Sequence, residues 1–314
     1  MRALVTGASG FVGRHLCAAL VEAGWDVVAA GASHESEGYL PIDLRDEQTL
    51  RAALDIAQPD VVFHLAAIAA VPDALADPLG VYDVNVLGTA RLAHAMRTYR
   101  DDGGNPLRIV FASSADVYGR REPHEYPLLE TLAPQPENPY SASKAAAEAI
   151  LLGEARSFGL DVTIARAFNH IGPGQSDRFA IASFAAQLAK IAEGGSPVML
   201  VGNLEAKRDF LDVRDVVAAY VALATGGASG EIYNVSSGTA ISMREMLGGL
   251  VAAARVPVEI REDPARMRPS DTPVSYGSSA KLHAATDWAP RFKLVRTLRE
   301  TYEDARERGR IPPW

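Results

Sequence analysis

The chain has 314 residues, 48% of them hydrophobic and 22% charged, with a formal net charge of −8. That length suits one large domain or two intimately joined ones with a core that needs no metal or disulfide support, and the negative balance argues against nonspecific nucleic-acid binding. Cys17 is the sole cysteine, so no intrachain disulfide forms and a reducing, cytoplasmic setting is expected, with Cys17 packed on the first helix. No signal-peptide pattern and no run of about 18 apolar residues is evident, so no membrane span is expected.

Ala3–Thr6 reads as a short buried strand, followed at once by Gly7-Ala8-Ser9-Gly10-Phe11-Val12-Gly13 and a helix, Arg14–Ala23, stopped by Gly24. Glycines at 7, 10 and 13 between a strand and a helix let the backbone turn tightly and approach a pyrophosphate, whose charge sits at the helix N-terminus. The second strand, Asp26–Ala30, runs into Gly31-Ala32-Ser33-His34 with no acid where one would hold the ribose hydroxyls of NAD. That leaves room for the 2′-phosphate of NADP, with Ser33, His34 or Arg14 as partners, while Glu35 keeps NAD open.

Asp43-Leu44 follows a third strand at Tyr39–Ile42; Asp43 either meets the adenine amino group or caps a helix over Glu47–Ala57. Asp60–Ala67 reads as a buried strand ending in Leu65-Ala66-Ala67, where small side chains admit a flat ligand. A helix is expected from Tyr82 to about Arg100, then a strand, Arg108–Ala112, ending in Ser113-Ser114-Ala115-Asp116-Val117-Tyr118-Gly119. After the turn-prone run 134–139 comes Tyr140-Ser141-Ala142-Ser143-Lys144 at the start of a strong helix former. Residues four apart share a helix face, so Tyr140 and Lys144 point together. An ammonium beside a phenol is expected to lower its pKa, making Tyr140 an acid–base group for a carbonyl or alcohol. Val162–Arg166 is a further strand, helices are expected at about Ile181–Glu193 and from Val216, and none of the seven histidines has metal-ligand spacing.

Strands alternate with helices throughout the first half, which predicts an α/β architecture: a Rossmann-type doubly wound parallel sheet, with a smaller mixed α/β substrate lobe after it. The expected division is a dinucleotide-binding domain over 1–165, rejoined by a return segment at about 205–235, and a mainly substrate-binding lobe over 166–314. Ligands bind at the carboxyl ends of such strands. The glycine loop, Leu65-Ala66-Ala67, Ser113-Ser114 and Tyr140 all fall there.

Together these motifs resemble the extended short-chain dehydrogenase/reductase family, the NAD-dependent epimerases and dehydratases that modify nucleotide sugars. The matching residues are Gly7/Gly10/Gly13, Asp43-Leu44, His64-Leu65-Ala66-Ala67, Asn85 in Asn-Val-Leu-Gly-Thr, Ser114 before Val117-Tyr118-Gly119, Tyr140/Lys144, Arg208-Asp209-Phe210 and Arg268-Pro269-Ser270-Asp271. Within the family, 168–175 and 202–210 look most like the GDP-4-keto-6-deoxymannose reductases, which make GDP-rhamnose. The resemblance implies that Tyr140 protonates the C4 oxygen, Ser114 hydrogen-bonds it, and Lys144 binds the nicotinamide ribose. It implies NADP(H) or NAD(H) as cofactor, with Asn85 among its ligands. Asn169, Arg208 and Arg268 would bind the GDP moiety, unless the arginines pair with Asp209, Asp212 or Asp271. It also implies a homodimer.

The pair Ser114/Asp116 stands where family dehydratases carry a threonine and, two residues on, a glutamate for the C5 proton. Asp116 is one methylene shorter, and about 1 Å of misplacement costs about 100-fold. Dehydratase and 4-epimerase stay as alternatives to the reductase. A cofactor-sensing binding protein is the non-enzyme alternative, and such proteins lack the tyrosine–lysine pair.

Overall fold

The alternating apolar segments assemble into a seven-stranded sheet in which every pairing is parallel, in the order Glu231–Val235, Asp161–Ala167, Arg108–Ser114, Val61–His64, Arg2–Thr6, Asp26–Gly31 and Leu40–Pro41. The structure, a computed structural model, describes residues 1–32, 38–267 and 272–310, and the side chains of all of these but 309 and 310. The strands are β1 (Arg2–Thr6), β2 (Asp26–Gly31), β3 (Leu40–Pro41), β4 (Val61–His64), β5 (Arg108–Ser114), β6 (Asp161–Ala167), β7 (Asn169–Ile171), β8 (Val198–Val201), β9 (Lys207–Asp212), β10 (Glu231–Val235), β11 (Ala240–Ser242), β12 (Glu259–Glu262) and β13 (Val274–Ser275). The helices are α1 (Phe11–Glu22), α2 (Glu47–Ala57), α3 (Val71–Ala76), α4 (Pro78–Tyr82), α5 (Gly88–Asp101), α6 (Pro139–Phe158), α7 (Ala180–Ala192), α8 (Val213–Gly226), α9 (Met243–Ala254), α10 (Ala280–Thr286) and α11 (Leu294–Arg310).

Two apolar layers sandwich the main sheet. On one face Leu16 and Leu20 of α1 meet Val216, Val217 and Tyr220 of α8, with Cys17 packed against them. On the other, Leu50 and Leu54 of α2, Leu92 and Met96 of α5, and Ala147 and Leu151 of α6 close over Val62 and Phe111. A separate core under α7, α9 and α11 supports the second lobe, where β9 pairs with β7, β11 and β13 and β8 with β12. The chain turns outward from β1 in opposite directions, through β2–β3 and through β4–β6, so a crevice opens above the ends of β1 and β4.

Several boundaries differ from expectation for identifiable reasons. The third strand shrinks to Leu40–Pro41, because Pro41 has no N–H to give and the strand lies at the sheet edge. The expected helix 82–100 is broken: a wide π-type turn, Asp83–Leu87, separates α4 from α5 and turns Asn85 inward. α6 starts at Pro139, where a missing N–H costs nothing, and Asn138 accepts from Ser141 N at 2.9 Å to cap it. α8 begins at Val213 rather than Val216 because Asp212 caps it, accepting from Arg214 N at 2.8 Å.

Candidate active site

The glycine loop is a cradle that side chains would fill. Gly7 sits at φ +72°, and a Cβ there would stand 2.8 Å from Ala66 N; a Cβ on Gly13 would stand 2.7 Å from Ala8 Cα. α1 then opens from an extended Gly10 with no side-chain cap and no acid in its first turn. The leading N–H groups of Phe11, Val12 and Gly13 and the positive end of the helix dipole are thereby left for an anion, which a pyrophosphate fits. The side chain of Phe11 is turned away from this cradle. It stacks on His170 at 6.2 Å and meets His15 edge-on, bracing α1 against β7. Arg14 reinforces that brace, donating to Ser9 O and Gly174 O at 2.6 and 3.2 Å. Ser33, expected beside the adenosine ribose, lies outside the described residues.

The end of β4 is threaded over this cradle. Leu65 N and Ala66 N both reach Thr6, at its carbonyl and hydroxyl oxygens, each at 3.2 Å. His64, fully buried, joins Thr6 Oγ1 at 2.9 Å through Nδ1 and Thr89 Oγ1 at 3.0 Å through Nε2. Burial, with the Lys144 charge nearby, pushes its pKa down to about 3. Ala67 continues the same exposed-edged segment toward Ile68.

Two expected cofactor ligands are engaged elsewhere. Asn85 does not present its amide to the crevice: Oδ1 accepts from Ile68 N at 2.8 Å, and Nδ2 donates to Ile68 O and Ser143 Oγ at 3.0 and 2.9 Å. It fastens the segment after β4 to α6, because the wide turn drives it 2% exposed into the interior. Asp43 is gripped by Arg45 through its backbone N, Nε and Nη2, which holds its carboxyl below the usual carboxylate range. Nor does it cap α2; Asp46 does, accepting from Gln48 N at 2.9 Å. Leu44 is buried in the core beneath.

At the end of β5, three successive residues each meet one turn of α6. Ala112 O accepts from Lys144 Nζ at 2.8 Å. Ser113 Oγ donates to Glu148 Oε1 at 2.5 Å. The Ser114 hydroxyl lies close enough to the phenol of Tyr140 to draw its pKa down. The chemistry differs from expectation in one respect. Lys144 does not lower the Tyr140 pKa; burial and the neighbouring Asp116 push it well above the ordinary phenol value, against the pull of Ser114. Lys144 is instead turned onto a carbonyl over the Phe111 ring, 4.7 Å away, and its own pKa is depressed by burial to about 8, with Glu148 resisting. Tyr140 thus keeps its proton near neutrality, and Lys144 is an ammonium there. Asp116 is exposed at the turn after β5, its N–H donating to Ser114 Oγ at 3.1 Å.

The substrate side is more dispersed. Asn169 is exposed at the start of β7 opposite Phe210 of β9, and Arg208 lies two residues before Phe210, where its charge draws on Tyr126. Among the described residues Asp209 is held by Ser237 and Gly238. Its buried carboxylate accepts from Ser237 N and Oγ at 2.8 and 2.6 Å and from Gly238 N at 2.9 Å, which fixes the turn after β10. Asp212 is taken by Arg214 and Thr297. Arg268 and its neighbours 269–271 lie outside the described residues. Sequence reasoning missed Thr6, Thr89, Ser143, Glu148 and Arg166; only Glu148, one turn beyond Lys144 on the same face, carried a local signal.

Residues 3–236 match the NAD dependent epimerase/dehydratase family. The chain is 40% identical to the GDP-6-deoxy-D-mannose reductase of Pseudomonas aeruginosa across 98% of each chain. It is 31% identical to the UDP-glucose 4-epimerase of Mycolicibacterium smegmatis, across 98% of this chain and 100% of that one. The solved structure of RMD from Pseudomonas aeruginosa in complex with NADPH superimposes with a TM-score of 0.88 at 38% identity, covering 98% of this chain and 100% of that one.

Proposed function

Since the chain belongs to the NAD-dependent epimerase/dehydratase family, we propose that it reduces the C4 keto group of a nucleotide-linked 4-keto-6-deoxyhexose, with GDP-4-keto-6-deoxy-D-mannose as substrate and GDP-D-rhamnose as product. The observation that carries this reading is the likeness to a GDP-6-deoxy-D-mannose reductase, 40% identical across 98% of each chain. An epimerase or a dehydratase of this kind first takes a proton from the C4 hydroxyl, whereas the buried Tyr140 phenol holds its own proton and is poised to give it. A reductase begins by giving that proton away. The full-length likeness to a GDP-6-deoxy-D-mannose reductase supports the same direction and the GDP moiety.

The bound nicotinamide, of NADPH or NADH, supplies the hydride. The chain's own residues do the rest. The glycine cradle and the open N-terminus of α1 hold the pyrophosphate, and Leu65-Ala66-Ala67 leaves room for a flat group beside it. Tyr140 delivers its proton to the C4 oxygen as negative charge develops there, and Ser114 hydrogen-bonds the same oxygen. Lys144, fixed on Ala112 O one turn beyond Tyr140 on the same face of α6, serves the nicotinamide ribose with its ammonium. Asn169, Arg208 and Arg268 serve the nucleotide diphosphate, a role suited to guanidinium groups. Asp116, exposed beside Tyr140, is the residue on which a dehydratase reading would rest.

The division of labour is between the main sheet, which with the returning β10 binds the dinucleotide, and the lobe after 166, which binds the sugar nucleotide. A homodimer through α5 and α6 is supported by Leu79 and Leu87, 78% and 51% exposed beside them. No described helix is long and apolar enough to cross a membrane.

The test is oxidation of NADPH and NADH at 340 nm with fresh GDP-4-keto-6-deoxymannose, run beside GDP-mannose, with products weighed by mass spectrometry. Stoichiometric oxidation and a product two mass units heavier are expected. Water loss from GDP-mannose without net cofactor use would replace this reading with the dehydratase.

A further inference from the structure

The most deeply buried ion pair among the described residues lies outside the proposed reaction. Glu148 and Arg166 are each 2% exposed. Arg166 Nε donates to both Glu148 oxygens at 3.0 and 3.2 Å, and Nη2 adds a bond of 2.7 Å to Oε2. The guanidinium also lies over the Tyr118 ring, 4.7 Å from its centroid, and the Tyr118 hydroxyl donates to Asn234 Oδ1 of β10 at 2.7 Å. Burying two charges costs desolvation that mutual attraction barely offsets, and a well-packed apolar pair is often as stable. The pair therefore needs a reason other than stability.

Its position supplies one. Glu148 stands one turn beyond Lys144, as Lys144 stands one turn beyond Tyr140, so all three share a face of α6. Arg166 is the β6 partner of Ser113 on β5, and Ser113 itself donates to Glu148. The strand residues on either side of Ser113 are those that receive Lys144 and Tyr140. We propose that Glu148 is a positioning residue for the reaction: clamped by Arg166 and Ser113, it fixes α6 on β5 so that Lys144 meets Ala112 O and Tyr140 meets Ser114, and its carboxylate keeps the Lys144 ammonium charged. The groups facing Lys144 agree with this. His64 comes from β4 and is neutral, β5 offers only a carbonyl and the Phe111 ring, and Tyr140 is protonated. Asp116 lies beyond Tyr140, and Arg166 stands behind Glu148. Glu148 is thus the anion that opposes the burial of Lys144.

The inference rests on the roles proposed above for Tyr140 and Lys144, and its test can fail separately from them. The chain holds five lysines, Lys144, Lys190, Lys207, Lys281 and Lys293, so the Lys144 side chain can be titrated by NMR in lysine-labelled protein. Wild type, E148Q and E148Q/R166M are compared for the Lys144 titration, the basic limb of the kcat–pH profile, and Tm. Wild-type Lys144 should titrate at about 8. E148Q, which removes the anion and leaves Arg166 unpaired beside Lys144, should move both the titration and the limb acidward by about one pH unit or more. The double variant, neutral at the pair, should move them acidward by less. Coincident titrations and limbs in all three proteins, with any loss confined to Tm, would overturn the proposal. Should E148Q not fold, the double variant decides: an acidward shift upholds the proposal and none overturns it. A Lys144 titration that moves while the turnover limb stays put would overturn the catalytic role of Lys144 rather than its coupling to Glu148.

Discussion

Gly13→Ala is the sharpest probe of the cradle, because the added methyl has nowhere to go. Its Cβ would stand 2.7 Å from Ala8 Cα and 2.8 Å from Ala8 C, with the Gly7 carbonyl oxygen closer still. All three are backbone atoms of the cradle, so no side chain can swing aside. An ordinary contact requires about 3.4 Å or more, so the loop and the first turn of α1 must separate by about 0.7 Å or more. Overpacking of this kind costs about 1–3 kcal/mol. Spent on NADPH binding, that is about 5- to 150-fold in Kd. Gly153→Ala on α6 is the control: nothing lies within 4 Å of its Cβ, and alanine there should stabilise the helix by about 0.5–1 kcal/mol. Nucleotide fluorescence titration gives Kd, and thermal denaturation gives Tm. A G13A protein that folds and binds NADPH and NADH within about twofold of wild type would refute the placement of the pyrophosphate on this loop.

Tyr140→Phe removes the proton donor but leaves the cradle untouched; kcat should fall by about 10²–10⁴, with the NADPH Kd unchanged, and substantial residual turnover would remove Tyr140 from the reaction. Activity should fall as pH rises through about 8, where Lys144 loses its proton, and a K144M protein should lack that limb. The sign for stability is opposite: the folded pKa of Lys144 lies below the unfolded 10.5, so between about 8 and 10.5 the unfolded chain binds more protons and this group's contribution to stability rises with pH. His64 acts likewise at the acid end. Its folded pKa of about 3 lies below the unfolded 6.5, so its contribution is complete above 6.5 and is lost as pH falls toward 3. Urea titrations at pH 7 and pH 4 should differ by on the order of a few kcal/mol more in wild type than in H64Q; equal pH dependence would show that His64 is not the group protonated.

What could be read from the chain alone was what is local in it. The glycine loop, the open start of α1 and the Tyr140/Lys144 pair each lie within a few residues, and their spacing is set by one turn or one helix. The parallel sheet followed from the alternation of strands and helices. The readings that changed concern competition between neighbours or contacts across the fold. Asp43 and Asp46 both precede α2, and only the backbone path decides that Asp46 caps while Asp43 turns to Arg45. Asn85 sits in a helical pattern whose wide turn no periodicity reveals. The direction of the Tyr140 shift depends on desolvation and on Asp116, which outweigh an ammonium that is itself diverted to Ala112 O. Glu148 and Ser113 are 35 residues apart, and Thr6 and His64 58.

The His64 contacts also fix where the protons of the cradle lie. Thr89 donates its hydroxyl proton to the Asn85 carbonyl at 2.6 Å, since that carbonyl can only accept. Its oxygen must therefore accept from His64, which places the ring proton on Nε2. Nδ1 is left as an acceptor for the Thr6 hydroxyl, and the Thr6 oxygen in turn accepts from Ala66 N. Every member of this run is satisfied in one direction only, and a protonated imidazole would have to reverse it at Thr6. The neutral ring is thus required by hydrogen-bond order as well as by burial. The run joins the end of β1, the segment after β4 and the start of α5, and Asn85 carries it on through Ser143 to the Tyr140 carbonyl at 2.7 Å. The dinucleotide cradle and the proton donor are therefore held by one polar framework that does not titrate between about pH 5 and 9. On the proposed mechanism, Lys144, pushed down to about 8 by burial, carries a pH response within that range.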